Sequence, residues 1–190
     1  MEKQLILGYG QQGVSLQEQA TITFEELVDR HRREIYVYLC RMAGNKTDAE
    51  DLFQETLLRA FRSFSKLRAD SNHRAWLYKI ATNAFLNHTR KRQSERITPI
   101  EDTELAMISD GRTGADEELG RKRMVNDLAS FIAALPAKQR VALVQRKYEG
   151  LEYADIAANL KCSEEAARAS VFQAIKKVKT HFEQARGRNA

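Results

Sequence analysis

Apolar residues recur at spacings of three and four along most of this chain, and no stretch alternates as a half-buried strand requires. In "TFEELVDRHRREIYVYLCRMAG", residues 23–44, Phe24, Leu27, Val28, Ile35, Leu39 and Met42 fall near one side of a helix. Thr23 with Glu26 forms a capping-box pattern at its start, and Gly44 suits its end. A second helix is predicted within 47–64, "TDAEDLFQETLLRAFRSF", with Thr47 as N-cap, acids in the first turn, and Leu57, Ala60, Phe61 and Phe64 as the core stripe. The third, "AWLYKIATNAFLNHTRKRQ" at 75–93, begins aromatic and ends basic. Leu77, Ile80, Ala81 and Ala84 make its apolar side. Trp76, Asn83, Asn87 and Arg90 share another, because their offsets nearly close whole turns.

Further helices are predicted over 121–135, 136–150 and 151–160, with Pro136 opening the second of these and Gly150 closing it. The turn Lys161-Cys162-Ser163 then leads into a last helix over 164–185, capped by Ser163. Tyr153, Ile156, Ala157 and Leu160 form one apolar face of this pair, and Ala167, Val171, Ala174, Ile175 and Val178 the other. Two helices joined by so tight a turn, the second ending in lysines, describe a helix-turn-helix. Periodicity lapses and glycines intrude between Pro99 and Gly120. The expected fold is therefore all-α: an N-terminal bundle over 21–98, an acidic flexible linker over 99–120, and a helix-turn-helix bundle over 121–185.

Charge sharpens that division. The net +5 divides into +4 over residues 1–98, −6 over 99–120 and +7 over 121–190. Two basic blocks around an acidic connector favour a polyanionic partner. No apolar run is long enough to span a membrane, and the first residues hold too short an apolar patch for a secretory signal. With Cys40 and Cys162 solitary, this points to a cytoplasmic protein with reduced, half-buried thiols.

Enzymatic chemistry finds no footing. The four histidines are scattered, no cysteine or acid cluster has metal-ligand spacing, and Asp48, Glu50 and Asp51 suit a helix N-terminus without further purpose. Neither a metal nor a cofactor is expected. In the last helix, Phe172, Gln173 and Lys176 point away from the buried stripe, with Arg168 and Lys177 on its flanks. Arginine and glutamine can read base edges in the major groove, and lysines suit phosphates. On the third helix, amides beside "RKR" would suit unstacked bases and a tracked backbone. Pattern alone leaves that reading level with an incidental wet helix end.

Three blocks break the tie: "DAEDLFQETLLRAFRSF" at 48–64, "RAWLYKIATNAFLNHTRKR" at 74–92 and "LPAKQRVALVQRKYEGLEYADIAANL" at 135–160. In this order and separation, they resemble an extracytoplasmic-function sigma factor, a group-four member of the major bacterial sigma family, over roughly residues 21–94 and 120–183. The resemblance implies a transcription initiation factor, not an enzyme, that binds core RNA polymerase and directs it to promoters with −35 and −10 elements. Asp51, Leu52, Gln54, Glu55 and Leu58 occupy the positions that dock on the polymerase clamp helices. The loop 66–73 resembles one that pockets a flipped base. Asn83, Asn87 and His88 match the face that meets opened −10 DNA, and Arg90, Lys91 and Arg92 would hold phosphates. Arg168, Ser170, Phe172, Gln173, Lys176 and Lys177 would meet the −35 element. An inhibitory anti-sigma factor is a common partner in such families. This chain departs from the pattern at His73, at Lys161 where the turn glycine is usual, and at Ala166 and Ser170. A stand-alone helix-turn-helix regulator would explain residues 121–190 but leaves the acids at 48–55 and the amide stripe unassigned.

Overall fold

The computed structural model describes residues 22–68, 70–95 and 115–187. Among them are seven helices and no strand: α1 (Phe24–Ala43), α2 (Lys46–Phe64), α3 (His73–Glu95), α4 (Ala115–Ala134), α5 (Ala137–Lys147), α6 (Tyr153–Leu160) and α7 (Glu164–Gly187).

The N-terminal module, α1–α3, begins as its capping box dictates. Thr23 Oγ1 accepts the Glu26 amide at 3.2 Å, and the Glu26 carboxylate accepts the Thr23 amide at 2.9 Å. Gly44 ends α1 at φ 83, a backbone that only glycine adopts at little cost. The α2 cap is Asn45 rather than Thr47: Asn45 is the residue in extended backbone, and its side chain accepts the Asp48 amide at 2.8 Å. The α2 core stripe also differs from expectation. Ala49, Leu52, Thr56 and Ala60 are buried, whereas Phe61 is 63% exposed. Thr56 tolerates burial because its hydroxyl donates to the Leu52 carbonyl within its own helix, at 2.6 Å. Leu27, Ile35, Leu39 and Met42 complete the core with Leu77, Ala81 and Ala84 of α3. Each large aliphatic buried here contributes about 1.5–3 kcal/mol.

In the C-terminal module, α4 starts at Ala115, inside the stretch assigned to the connector, so the last part of 99–120 is helical; residues 96–114 lie outside the described ones. Leu151 is buried ahead of α6, which starts only at Tyr153. Lys161 closes α6 in the left-handed region at φ 53, the conformation that its replacement of the turn glycine forces on it. Ser163 Oγ accepts the Ala166 amide at 3.2 Å, capping α7 as expected. Ala167, Val171 and Ala174 are buried beneath α7, while Ile175, expected with them, is 38% exposed.

The two modules pack against one another, α3 against α5 and α6, and α1 against α4 and α5. Within this seam lies a buried polar group. Gln145 Nε2 donates to Tyr38 Oη at 3.1 Å and to Thr82 Oγ1 at 2.7 Å, Tyr38 and Thr82 bond at 2.9 Å, and Asn159 Nδ2 donates to Gln145 Oε1 at 3.2 Å. All four residues are buried. Burial pushes the Tyr38 hydroxyl well above the ordinary phenol range, against the pull of its Thr82 and Gln145 hydrogen bonds. Beside this group, Glu149 Oε1 accepts from Arg41 and Glu149 Oε2 from Tyr78, each at 2.7 Å. Arg74 donates to the Glu149 carbonyl and to Glu34, both at 2.9 Å. Burial and the bond to Glu149 hold the Tyr78 hydroxyl protonated. Arg140 donates to the Met42 carbonyl at the end of α1 and to the Ala133 and Leu135 carbonyls at the end of α4. Cations favour helix C-termini, which is where this guanidinium lies; burial lowers it to about 10, leaving it charged at neutral pH.

Candidate nucleic-acid interface

On α3 the seam residues Arg74, Tyr78 and Thr82 lie roughly opposite Asn83, Asn87 and Arg90 at the helical repeat. The amide stripe thereby escapes the packed neighbours: Asn87 and Arg90 are exposed and Asn83 is half-buried. Arg90 Nη1 donates to Asn87 Oδ1 at 3.0 Å, so the pair forms one polar surface. Trp76 is half-buried against the core at the start of the same side. The loop before α3 holds an Arg68–Asp70 bidentate pair, both contacts at 3.0 Å, and Asn72 Oδ1 accepts the Ala75 amide at 3.0 Å as the helix cap.

The basic end of α3 is not uniform. Asp48, at the first turn of α2, takes Arg92 on one carboxylate oxygen and lies 3.7 Å from His88 Nε2 on the other. Asn45 donates to the same carboxylate at 2.8 Å. Sequence reasoning gave Asp48 only a helix-dipole role; its 44-residue separation from Arg92 hides the contact. Lys91 is exposed between them.

On α7, Phe172 is 69% exposed, and Lys176 and Lys177 face solvent with it. Arg168 lies over the Tyr153 ring, 4.3 Å from its centroid, and pairs with Glu164 at 3.0 Å. Gln139 of α5 bonds Gln173 at 2.8 Å and Lys177 at 3.0 Å. The Ser170 hydroxyl turns back to the Ala166 carbonyl at 2.8 Å, so it presents little to a groove.

The outer stripe of α2 carries Asp51, Gln54, Leu58 and Phe61 toward solvent, with Glu55 beside it paired to Arg59 at 2.5 Å. Leu58 and Phe61 are two large apolar side chains, 56% and 63% exposed, one turn apart. Leu52, assigned to this docking face from the sequence, is 1% exposed and belongs to the core, since it projects from the opposite side of α2. Phe61 was missed because an aromatic on an amphipathic helix ordinarily reads as core. No group of histidine, cysteine and acidic side chains among the described residues could hold a metal ion, and no described helix is long and apolar enough to cross a membrane.

Known proteins share both modules. Residues 27–95 match Sigma-70 region 2 and residues 126–178 match Sigma-70, region 4. The ECF RNA polymerase sigma-E factor of Haemophilus influenzae is 32% identical over 161 residues, covering 80% of this chain and 82% of that one. The chain belongs to the ECF RNA polymerase sigma factors. As a sigma factor it is a transcription initiation factor, with core RNA polymerase and promoter DNA as partners. The RNA polymerase sigma-H factor of Pseudomonas aeruginosa is 30% identical over 159 residues, with 80% and 81% covered. The match to SigE of Mycolicibacterium smegmatis, 34% identical over 139 residues, spans 53% of that longer protein. Among solved structures, the sigma factor RpoE of Bartonella quintana, in complex with the anti-sigma factor NepR, has a TM-score of 0.69 at 24% identity, covering 84% of this chain and 96% of that one. CnrH, in complex with the cytosolic domain of CnrY, has a TM-score of 0.60 at 23% identity over 85% and 88% of the two chains. These two likenesses support the fold.

Proposed function

We propose that the three solvent-facing stripes divide the work of initiation. The α2 stripe of Asp51, Gln54, Glu55 and Leu58, extended by Phe61, docks on the polymerase: exposed apolar side chains bounded by acids fit a basic surface with apolar pockets. The α3 stripe of Asn83, Asn87 and Arg90 holds unpaired bases and backbone of the opened −10 strand. Lys91, Arg92 and His88 contact phosphates once Asp48 releases the last two. Unstacking costs a few kcal/mol per step, and captured bases offset part of it. The α7 face, with Phe172, Gln173, Lys176 and Lys177 and with Arg168 braced on Tyr153, reads the −35 duplex.

The observation that carries this reading is the α3 stripe: two amides and an arginine on one side of a core helix, with Asn87 and Arg90 exposed and Asn83 half-buried. The polymerase supplies the chemistry, so the factor itself catalyses nothing, and it acts in the cytoplasm, where polymerase and promoters are. An anti-sigma factor is a further partner, supported by the likeness to the sigma factor RpoE solved with the anti-sigma factor NepR. Run-off transcription with core polymerase tests the assignment. Transcripts that depend on the factor and disappear with Asn83→Ala plus Asn87→Ala support it; full activity of that double variant contradicts it.

A further inference from the structure

We propose that Gln139, on the first turn of α5, fixes the polarity of Gln173, so that α7 offers the −35 duplex an amide donor and selects guanine at one base pair. This rests on the −35 reading of α7 above. A glutamine amide ordinarily shows either end: its oxygen accepts, its nitrogen donates, and a half-turn exchanges them. Adenine is read by both ends at once, against N6–H and N7. On α7 that half-turn is opposed. Lys177 Nζ donates to Gln139 Oε1 at 3.0 Å, and Gln139 Nε2 donates to Gln173 Oε1 at 2.8 Å.

The lysine sets the direction of this chain of bonds. An ammonium has three donors and no lone pair, so Gln139 can meet Lys177 only with its oxygen. Its nitrogen then faces Gln173, which must answer with oxygen. Turning either amide would set donor against donor. Water competes for such bonds on a free surface, but in a groove a mismatched group lacks a partner, and the order holds more firmly. What remains outward is Gln173 Nε2, on an exposed side chain and without a hydrogen-bond partner among the described residues. Its neighbours are engaged otherwise: Ser170 turns back on the Ala166 carbonyl, and Arg168 pairs with Glu164 and lies over the Tyr153 ring. Two N–H groups on one nitrogen suit guanine, whose major-groove edge carries the O6 and N7 acceptors. Adenine sets its N6–H donor beside N7, thymine offers one acceptor, and cytosine offers a donor alone. Gln139, half-buried on α5, touches no base in this scheme; it is a positioning residue that acts through Gln173.

The test is selection by the full-length factor with core polymerase from a promoter pool randomised across the −35 element, read by sequencing. Wild type is compared with Gln173→Ala, Gln139→Glu and Gln139→Leu. Gln173→Ala identifies the base pair, as the one whose preference it flattens. Preferences are ratios within one pool, so neither a lower folded fraction nor the added charge of glutamate, which weakens every sequence alike, moves them. Wild type is expected to favour a G·C pair there over A·T by roughly tenfold, within the range of one base contact. Replacing that guanine by 7-deazaguanine, which lacks N7, should weaken wild-type binding at least about fivefold and leave Gln173→Ala unaffected. Glutamate keeps the shape of Gln139 but only accepts, taking Lys177 on one oxygen and Gln173 Nε2 on the other and leaving the Gln173 oxygen outward. Gln139→Glu should therefore lose the 7-deazaguanine effect and prefer the pair reversed, with cytosine in place of guanine, a change in ratio of about tenfold or more. Gln139→Leu frees the amide and should bring A·T level with G·C. An A·T preference in wild type, indifference to 7-deazaguanine, or an unchanged ratio in Gln139→Glu overturns the inference. So does a −35 element that is selected with no pair dependent on Gln173. A holoenzyme that selects nothing across the −35 element overturns the promoter reading itself, and this inference with it.

Discussion

Helix α3 carries polar side chains on two opposite sides, and they have opposite fates. Arg74, Tyr78 and Thr82 face the other module, where Thr82 is buried against Tyr38 and Gln145. Asn87 and Arg90 face solvent and bond one another, and Asn83 lies half-buried on the same side. The first set acts within the molecule and the second is left for something outside it. Polarity on a helix thus says little until burial assigns it: a buried polar group must be answered by the protein, whereas an exposed one is available to a ligand.

The largest effect should come from emptying the exposed side. Replacing Asn83 and Asn87 together with alanine should lower promoter-dependent transcription by about 100-fold, from two amide–base hydrogen-bonding contacts of roughly 1–3 kcal/mol each. Thermal unfolding should move far less than activity: exposed Asn87 falls within about 0.5 kcal/mol, and half-buried Asn83 adds about 1 kcal/mol at most. A matching loss of stability would erase the contrast between the two sides.

Thr82→Val is the mirror experiment. It keeps the shape but removes a hydroxyl that both Tyr38 and Gln145 use, and it should cost about 1–3 kcal/mol of stability, read by chemical denaturation. Transcription per folded molecule should survive. If denaturation midpoints coincide with wild type, the buried group is not a structural unit.

Lys161→Gly touches neither side. It should stabilise the turn before α7 by about 1 kcal/mol, because glycine adopts φ 53 without the side-chain penalty. An unchanged or lower melting temperature would show that this turn relaxes in another way.

Asp48→Ala sharpens the contrast most finely. It frees Arg92 and His88 at a stability cost of about 0.2–1 kcal/mol, as for a partly exposed pair. Arg92 can then reach a phosphate, and the salt dependence of single-strand binding should steepen by about 0.7 in log–log slope per added contact. An unaltered slope would mean that Arg92 reaches the phosphate with Asp48 in place.

Much of the fold was legible in the sequence, because the helices carry clear apolar periods and strong end signals such as Thr23–Glu26, Gly44 and Ser163. The errors have separate physical causes. Phe61, expected in the α2 core stripe, is exposed, and Thr56 is buried there, because a hydroxyl can satisfy itself against its own helix, which periodicity cannot register. Leu52 was placed on the docking face by position in a motif, yet its direction from α2 sends it into the core. The seam was invisible for a different reason. Gln145, amid valines and a leucine, and Asn159, ahead of Leu160, were polar residues at core positions, a signal of a buried network. Their partners Tyr38 and Thr82 lie 107 and 63 residues away from Gln145, beyond any local pattern. The family resemblance supplied the module roles, but it carried no information on how this chain's modules pack together.

The most direct measurement is run-off transcription by core polymerase on a pooled promoter library, comparing wild type, the Asn83→Ala/Asn87→Ala double variant and Thr82→Val below the melting temperature of all three. The account predicts promoter-dependent transcripts with wild type and with Thr82→Val, and their loss with the double variant. Transcripts that persist with the double variant and vanish with Thr82→Val would contradict it, placing the working surface of α3 on the side that the structure buries.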